Sequence, residues 1–461
     1  MKRTLSDAAT AVGGQLVGED HPYGAVATDS RTLNSGALFV ALRGPNFDGA
    51  DFVTAAAARG AIGAVVEREV AHALPQVVVP DALRALQQLG QAWRGQFTMP
   101  IVAIGGSNGK TTAKEMTAAI LSRMGLCMAT HGNLNNHIGV PVTLMRLEDS
   151  HRSAVVEMGA NRIGDVAELV RLARPTVGLI TNAGAEHLEG FGNLDGVAQG
   201  EGEMVSCLDP GATAVINADD DYAGYWRKQA TARCIVTFGV HADADFMAKN
   251  SAQTIERGEF ATSFTLTCPL GQRAITLKAG GAHNIMNALA AAAAAGAAGA
   301  SLEQIALGLA DFRAVAGRLQ LKPGARGSWI IDDSYNANPS SVRAGLDVLR
   351  SLPGTTWLVL GDMAELGEFA EDSHAHMGAY ARDCGIKRLF AVGPQSSRAV
   401  ETFGSGAEWF ADADSLIRRL QAELAPGVTV LIKGSRVNRL ERVVQALIGG
   451  GAGFGPMMRA S

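Results

Sequence analysis

The stretch IVAIGGSNGKTTAKEM, residues 101–116, decides the fold at the middle of this chain. Residues 101–104 form an apolar run that is typical of a buried strand, and apolar residues then recur at helical spacing from Ala113 to Met124. The segment GGSNGKTT at 105–112 joins these two elements as a glycine-rich turn. Glycines let a backbone wrap closely around phosphate oxygens, and the N-terminus of the following helix presents its positive dipole end to them. The stretch therefore predicts a phosphate-binding loop between a strand and a helix.

The polar residues of this loop have predicted roles in nucleotide binding. Lys110 is expected to reach the terminal phosphates of a nucleotide, and the hydroxyl of Thr111 is expected to bind Mg²⁺. The spacing differs from the general G-x-x-x-x-G-K-[ST] loop, because Ile104 stands where that pattern has its first glycine. The alternative is a glycine turn that precedes a lysine by chance, and the order of strand, loop and helix favours ATP or GTP binding over it. The expected nucleotide contacts are Gly106, Ser107, Asn108, Gly109, Lys110, Thr111 and Thr112.

Composition and charge limit the partners of the chain. Its 461 residues include 40 Lys and Arg against 45 Asp and Glu, a net charge of −5, and no long basic run, which argues against a nucleic-acid partner. The 5 cysteines are widely spaced and odd in number, which is typical of a reducing cytosol and not of a disulfide framework or a zinc site. The most apolar stretch, residues 288–300, is mostly alanine and is shorter than the about 20 residues of a membrane span. We expect a cytoplasmic protein without a membrane span.

Alternating strand and helix patterns indicate an α/β chain of three domains. In the first hundred residues, short β-like runs alternate with alanine-rich helical stretches. A polar, charged stretch at 311–327 closes the middle region, and strand and helix patterns alternate again beyond it. We predict a small α/β N-terminal domain, a central P-loop ATPase-type parallel sheet and a C-terminal Rossmann-like α/β domain, with the ranges 1–98, 99–314 and 315–461. Strand-like runs in the middle end in polar residues, where open α/β sheets place ligands.

Further motifs follow the loop in a fixed order. They are GNLNNHIGVP at 132–141, VEMGA at 156–160, TNAGAEHLEGFG at 181–192, DDSYNANPSS at 332–341, GDMAELG at 361–367 and KGSR at 433–436. With the loop pattern G-[ST]-N-G-K-[ST]-[ST], they give the chain a resemblance to the Mur ligase family over essentially its whole length. DDSYNANP separates the branch that it resembles from the members that add a single amino acid.

This resemblance implies an ATP-dependent ligase of peptidoglycan precursor synthesis. In the branch concerned, ATP phosphorylates the C-terminal carboxylate of UDP-N-acetylmuramoyl-tripeptide, the amine of D-alanyl-D-alanine attacks the acyl phosphate, and an amide forms with release of ADP and phosphate. Two anions must approach each other in the first step, so concentrated positive charge is needed, and Lys110 and two Mg²⁺ ions would supply it. We expect a monomer, and the motifs do not identify the third residue of the peptide.

The resemblance also assigns residues to the metal and to ATP. Glu157 and His187 are implied to bind Mg²⁺ with Thr111, although an imidazole is an unusual ligand for this hard cation and His187 alone would be an ordinary surface histidine. Arg318 is implied to reach an ATP phosphate when the domains close, and its alternative is a solvated linker charge. Asn182 is implied to order the site, with a turn asparagine as the alternative. The implied adenine and ribose contacts are Asn284, Asn287, Asp333, Asn336 and Asn338, and helix capping is the alternative for the first two.

Substrate contacts are implied in all three predicted domains. TDSR at 28–31 and LRGPNFDGADF at 42–52 resemble the segments that hold the UDP-sugar, but Ala50 stands where many relatives have histidine, so that contact is absent or replaced. The candidates for uridine and diphosphate contacts are Ser30, Arg31, Gly44, Asn46, Phe47 and Asp48. The candidates for the muramoyl peptide are Asn133, Asn135 and Asn136, and those for D-alanyl-D-alanine are Asp362 and Arg436.

One position departs from the family pattern. The family usually has G-V-A-x-A-K-G-E, with a lysine that is carbamylated to give an acidic metal ligand, whereas this chain has GVAQGEGE at 196–203 and places Glu201 at the lysine. We predict that the Glu201 carboxylate contributes to a second Mg²⁺ site, through a bridging water or a shifted backbone because its side chain is shorter. The alternative is a solvated helix residue. The predicted catalytic residues are Lys110, His187, Arg318 and Glu201.

Two other functions are open from the sequence. Another ligase of the same superfamily, such as one adding glutamate to folate, would lack the DDSYNANP and GDMAELG segments. A nucleotide-gated regulatory or scaffold protein with an inactive site is favoured only by the change at Glu201. Substrates divided among three domains react only if the domains converge, so we also expect a hinge near residues 312–318.

Overall fold

The N-terminal end of the chain folds into a small α/β layer in the computed structural model, which describes residues 3–448. Its strands pair in the order β2-β9-β8-β5-β4, and the central strands β5 and β8 are buried along their whole length. The elements are β1 (Arg3–Thr4), α1 (Leu5–Val12), β2 (Gln15–Val17), β3 (Pro22–Tyr23), β4 (Ala25–Ala27), β5 (Ala37–Val40), β6 (Arg43–Gly44), β7 (Phe47–Asp48), a 3₁₀ helix (Gly49–Phe52), α2 (Val53–Ala58), β8 (Gly63–Val66), β9 (Gln76–Val78) and α3 (Ala82–Arg94).

The central part is a wide twisted sheet with helices on its faces. Its strands are β10 (Ile101–Gly105), β11 (Cys127–Ala129), β12 (Ser153–Glu157), β13 (Val177–Ile180), β14 (Thr213–Asn217), β15 (Cys234–Gly239), β16 (Phe246–Glu256), β17 (Glu259–Cys268) and β18 (Gly271–Leu277). Its helices are α4 (Lys110–Leu121), α5 (Gly139–Leu144), α6 (Asp165–Ala173), α7 (Leu188–Phe191), α8 (Leu194–Ser206), α9 (Ala223–Gln229), α10 (Ala282–Ala297) and α11 (Leu302–Asp311).

The central strands lie in the order β11-β12-β10-β13-β14-β15-β16-β17-β18. Strands β11 to β15 pair in parallel, as predicted, and the apolar runs of β10, β12 and β13 are buried because helices cover both faces. Strand β16 joins β15 in parallel, and β17 and β18 then extend the sheet in antiparallel pairing that was not expected from the sequence. Buried and exposed residues alternate along β17, so this extension has one face on the core.

The C-terminal part has a second doubly wound sheet in the order β19-β20-β24-β21-β22-β23. All its pairs are parallel except that of β19 with β20, which adds an antiparallel edge strand inside the polar stretch at 311–327. The elements are β19 (Gln320–Pro323), a 3₁₀ helix (Ala325–Gly327), β20 (Trp329–Asp333), α12 (Pro339–Arg350), β21 (Thr355–Gly361), a 3₁₀ helix (Gly367–Phe369), α13 (Ala370–Asp383), β22 (Arg388–Val392), α14 (Ser397–Phe403), β23 (Ala407–Phe410), α15 (Ala413–Glu423), β24 (Val428–Lys433), a 3₁₀ helix (Arg436–Asn438) and α16 (Glu441–Leu447). The predicted α/β class, with a small N-terminal part, a central part and a C-terminal part, is confirmed, and the central sheet is mixed where a parallel one was predicted.

Apolar packing joins the N-terminal and central parts into one body. Buried side chains of α3, among them Leu86 and Leu89, belong to the same apolar cluster as Leu144 and Leu169 of the central part. The indole nitrogen of Trp93 donates a hydrogen bond to the carbonyl of Leu147 at 3.0 Å across this contact. The buried side chains of the C-terminal part form clusters of their own, one of which includes Phe260 of the central part, with Ile255 packed against it.

The alanine-rich stretch at 288–300 forms most of α10 at the core of the central part. Residues Ala288 to Ala295 of this helix are almost completely buried against the sheet. No helix within residues 3–448 combines the length and the apolar character that crossing a membrane requires.

Candidate active site at the phosphate loop

The loop at 105–112 leaves the end of β10 and enters α4, as the sequence predicts. Gly106 and Gly109 have φ angles of 115° and 85°, in the region that favours glycine. A Cβ atom on Gly106 would clash with Thr181, and one on Gly109 would clash with Asn287. Only glycine fits at both positions. The amides of Gly106, Ser107 and Asn108 are already bonded to Glu201 and Asn182, so the N-terminus of α4 is the part of the loop that can receive an anion.

The loop borders a cavity of about 630 Å³ at the carboxyl ends of two parallel sheets. Strands β10, β12, β13 and β14 end at it from the central part, and β20 and β24 end at it from the C-terminal part. Polar residues collect there because strand ends leave backbone and side-chain groups unpaired by the sheet. The predicted site residues that line it are Ser107, Asn108, Gly109, Lys110, Thr111, Thr112, Asn133, Asn135, Asn136, Glu157, Asn182, His187, Asn284, Asn287, Arg318, Asp333, Asn336 and Asn338.

Lys110 points back along its own loop toward a carboxylate. Its ammonium group donates to the carbonyls of Gly106 and Ser107 and lies 3.1 Å from Oε1 of Glu186. Burial opposes the charge of Lys110, but the nearby carboxylates of Glu186 and Glu201 outweigh burial, so the pKa of Lys110 is raised. The sequence analysis missed Glu186, although it stands next to His187 in the EHLEG motif.

Arg318 of the C-terminal part contacts the phosphate loop. Its Nη2 donates to the hydroxyl of Thr111 at 2.9 Å, and its guanidinium lies 4.4 Å from the ring centre of Tyr335. Within the described residues, the buried Nε of Arg318 has no hydrogen-bond partner, which suits a group that is to meet an anion. Asn338 donates to Oδ1 of Asn108 at 2.9 Å across the same boundary. The alternative of a solvated linker charge for Arg318 is wrong.

The end of the cavity remote from Lys110 has a second ion pair. Lys433 lies 2.6 Å from Oδ2 of Asp333 and donates to the carbonyl of Asn336. His283 lines the cavity beside them, and burial lowers its pKa, so its imidazole is neutral. His283 and Lys433 were not predicted as site residues, although His283 directly precedes the predicted Asn284 and Lys433 begins the KGSR motif. Asn284 and Asn287 do not cap α10, because Gly281 occupies that position and no side chain caps the helix.

The hydrogen bonding of Glu157 shows whether the residues of the cavity suit a bound cation. Its Oε1 accepts a hydrogen bond from Asn135 at 2.8 Å, whereas its buried Oε2 has no hydrogen-bond partner among the described residues and lies 4.0 Å from the ammonium of Lys114. Thr111 and His187 line the same cavity, and a carboxylate oxygen without a hydrogen bond suits an oxygen-preferring cation. In residues 3–448 no three acidic, histidine or cysteine side chains converge on one point, so such a cation would take its other ligands from phosphate and water.

Three protein-family models match successive ranges of the chain. The Mur ligase family catalytic domain matches residues 22–94, the Mur ligase middle domain matches 104–295, and the Mur ligase glutamate ligase domain matches 317–436. The UDP-N-acetylmuramoyl-tripeptide–D-alanyl-D-alanine ligase of Escherichia coli K12 is 44% identical over 96% of this chain and 98% of its own length. The chain belongs to the Mur ligase family.

Solved structures of the family have the same architecture as this Mur ligase. A crystal structure of MurF from Acinetobacter baumannii is similar with a TM-score of 0.90 at 34% identity, covering 96% of this chain and 98% of that one. MurF from Thermotoga maritima in complex with ADP is similar with a TM-score of 0.82 at 26% identity, covering 92% and 96%.

Glu201 of this Mur ligase lies beneath the phosphate loop and not in the cavity lining. Its side chain on α8 is 1% exposed, and its Oε2 accepts a hydrogen bond from the amide of Gly106 at 2.6 Å. Burial, with the neighbouring carboxylate of Glu186 and against the attraction of Lys110, raises the pKa of Glu201 to about 7. The alternative of a solvated helix residue is wrong, and metal binding by Glu201 stays a prediction.

The N-terminal substrate candidates form a surface of this Mur ligase outside the described cavity. Arg31 pairs with Asp29 at 2.8 Å, and Asp48 accepts from Arg43 at 3.1 Å and from the amide of Ala50 at 2.9 Å. The remaining candidates in that part are Ser30, Gly44, Asn46 and Phe47, whose ring is 55% exposed.

The candidates for D-alanyl-D-alanine also lie outside the lining of this cavity. Asp362 accepts a hydrogen bond from the amide of Ser396 at 2.8 Å, and Arg436 pairs with Glu441 at 3.2 Å. Both stand at carboxyl ends of strands in the C-terminal sheet, after β21 and β24. A substrate that reaches them would therefore approach from the C-terminal side of the cavity.

Proposed function

We propose that this Mur ligase joins D-alanyl-D-alanine to UDP-N-acetylmuramoyl-tripeptide, converting ATP to ADP and phosphate. The observation that carries the proposal is the full-length match to the enzyme of that activity from Escherichia coli. The cavity supports it, because a phosphate loop, two lysines and an arginine from different parts of the chain surround one space. The five cysteines are all unpaired, which is in keeping with action in the cytoplasm, and we propose that the enzyme acts there as a monomer.

The first chemical step is phosphoryl transfer to the tripeptide. A carboxylate oxygen of the peptide attacks the γ-phosphorus of ATP, the bond to the bridging oxygen breaks, and ADP leaves. Loop amides, Lys110 and Arg318 hold the phosphates and offset the repulsion between the two anions. Mg²⁺, when bound, would neutralise further phosphate charge, and Thr111, Glu157 and His187 are the residues that would hold it.

The second step forms the amide. The amine of D-alanyl-D-alanine attacks the acyl carbon, loses a proton to solvent, and expels inorganic phosphate. We propose that the exposed N-terminal surface from Ser30 to Asp48 holds the UDP-sugar, that Asn133, Asn135 and Asn136 contact the muramoyl peptide, and that Asp362 and Arg436 serve D-alanyl-D-alanine. Domain boundaries at 98/99 and 314/315 would then give each substrate a domain of its own.

Phosphate release from ATP tests this function. Phosphate release that requires both UDP-N-acetylmuramoyl-tripeptide and D-alanyl-D-alanine supports it. Mass spectrometry should then show a product heavier than the tripeptide substrate by the mass of D-alanyl-D-alanine less one water. Release with folate and glutamate would instead support the other ligase, and no release under either condition would support a scaffold. Lys110→Met should abolish the release, because it removes the loop charge while keeping the length of the side chain.

A further inference from the structure

Glu365 of the C-terminal part contacts His187, which lines the cavity in the central part. Oε2 of Glu365, in the loop that follows β21, lies 2.6 Å from Nδ1 of His187, which precedes α7. The two residues come from different sheets, so this contact exists only while the C-terminal part is docked on the central part. The GDMAELG motif that contains Glu365 had no role for it in the sequence analysis.

The backbone at both ends of this pair is fixed in an uncommon conformation. His187 has a φ angle of 49° and Glu365 has one of 64°, in the left-handed region that few residues other than glycine adopt, although asparagine, aspartate and histidine do so more often than the rest. Such conformations persist only where the surroundings hold them. The surroundings therefore hold the backbone from which each side chain of this contact extends.

The loop around Glu365 is anchored on both sides. The amide of Met363 donates to Nε2 of His374 at 2.9 Å, and the amide of Ala364 donates to Oγ of Ser435 at 2.8 Å. Leu366, on the other side of Glu365, is 1% exposed. Although the Glu365 carboxylate is half exposed, it is presented from a rigid segment and not from a mobile one.

We propose that Glu365 is a positioning residue that orients His187 for the cation of the bound nucleotide, and that it does so only in the docked arrangement of the two sheets. A carboxylate on Nδ1 holds the proton there and leaves the lone pair of Nε2 free, which is the usual way in which a ligating histidine is fixed. Docking of the C-terminal part thereby completes the cation site. This inference rests on the proposed use of ATP with Mg²⁺.

The test compares Glu365→Ala and Glu365→Gln with Glu368→Ala in the full chain. Glu368 is an exposed carboxylate three positions further on, so its removal changes the local charge without touching His187. Nitrogen-15 NMR of His187 should show the Nδ1–H tautomer in the wild type and in Glu368→Ala, and a mixture in Glu365→Ala. Glu365→Gln retains an acceptor and should restore much of the tautomer preference.

A Mn²⁺ titration of the same proteins with a non-hydrolysable ATP analogue supplies the second measurement, by electron paramagnetic resonance. Glu365→Ala should weaken Mn²⁺ binding about tenfold or more, since loss of a carboxylate behind a metal-binding histidine typically costs 10–100-fold. Equal tautomers and equal Mn²⁺ affinities in the Glu365 and Glu368 variants would overturn the proposal. Neither measurement needs turnover, so an inactive ligase with a Glu365-dependent tautomer would overturn only the proposed function.

Discussion

Three side chains, of which Glu201 is fully buried and the other two are largely so, set the charge at the phosphate loop. Lys110 is neutralised by Glu186 at 3.1 Å, and Glu201 lies under the loop with a pKa raised to about 7. The local charge before a ligand binds is therefore close to zero or negative. A polyphosphate entering this space needs further positive charge, which Arg318 and a cation would supply. This residue-scale balance explains why two sheets must meet before the chemistry can begin.

The glycines of the loop should tolerate no side chain. Gly109→Ala adds a Cβ that clashes with Asn287 and keeps φ at 85°, so we expect the KM for ATP to rise about tenfold or more, equivalent to about 1.4 kcal/mol of lost binding. Gly13→Ala is the control, because Gly13 has a φ of 61° but no atom near its added Cβ. Steady-state kinetics check this, and equal KM values for the two variants would contradict it.

Glu201 should matter first as an acceptor for the loop backbone. Glu201→Ala leaves the amide of Gly106 buried without a partner, which costs about 1–3 kcal/mol of folding stability, whereas Glu201→Gln retains an acceptor and should lose less. Urea unfolding measures this difference, with the exposed Gln199→Ala on α8 as the control. Equal midpoints for the Ala and Gln variants would show that the amide bond contributes nothing.

The predicted metal role of Glu201 has a separate test. If its carboxylate replaces a carbamylated lysine, removal of bicarbonate should leave the wild-type rate unchanged, and Glu201→Ala should need more Mg²⁺ for half-maximal rate. Phosphate-release assays in degassed and bicarbonate-supplemented buffer measure both quantities. An unchanged Mg²⁺ requirement in the Ala variant would leave the loop contact as the role of this residue.

At the scale of elements, the sequence predicts what is local and misses what depends on distant partners. The apolar runs that became β10, β12 and β24 and the loop from Gly105 to Thr112 follow from local pattern and spacing. The antiparallel extension at 246–277 does not, because a partly exposed strand has weak periodicity and its partner is fixed only by the tertiary fold. The pairs Lys110–Glu186 and His187–Glu365 were missed for the same reason, since no spacing reveals which strand ends meet.

The folding stability of the protein should fall in acid, because the loop that carries Glu365 is bonded to a neutral histidine. His374 is fully buried, accepts from the amide of Met363 and contacts the carbonyl of Ala370 at 2.7 Å, and burial lowers its pKa. Below about pH 6.5, the ordinary pKa of histidine, the unfolded chain binds a proton that the folded chain does not. The free energy of unfolding therefore falls between about pH 6.5 and the lowered pKa of His374 in the folded chain, and this residue leaves it unchanged above about pH 6.5.

His374→Gln should remove this part of the pH dependence and lower the stability at neutral pH. Thermal unfolding between pH 5 and 8 measures it, with His376→Gln on the exposed side of α13 as the matched control. A pH profile of His374→Gln that parallels the wild type would show that another group is responsible.

At the scale of the molecule, the two junctions between sheets differ in chemistry. The N-terminal and central parts share one apolar cluster, and Arg94 of α3 donates to the carbonyl of Ala173 at 2.8 Å inside it. The C-terminal part meets the central part through polar contacts at the cavity, such as Asn108 with Ser340 at 3.0 Å, and through Phe260, which packs into its apolar cluster. Polar contacts of this kind are weak in water, whereas apolar burial is not. The C-terminal part is therefore the one that should move.

Closure should appear as a ligand-dependent change in size. The connection at 312–319 joins α11 to β19 and contains Gly317 and Leu319 with φ angles of 72° and 50°, so small dihedral changes there can swing the C-terminal sheet. Small-angle scattering should give a smaller radius of gyration with a non-hydrolysable ATP analogue than without it, because the nucleotide adds contacts to both Lys110 and Arg318. Lys110→Met should remain expanded with the analogue present. Identical wild-type profiles in the two conditions would mean that the docked arrangement persists without nucleotide, and the polar junction would then be stronger than its chemistry implies.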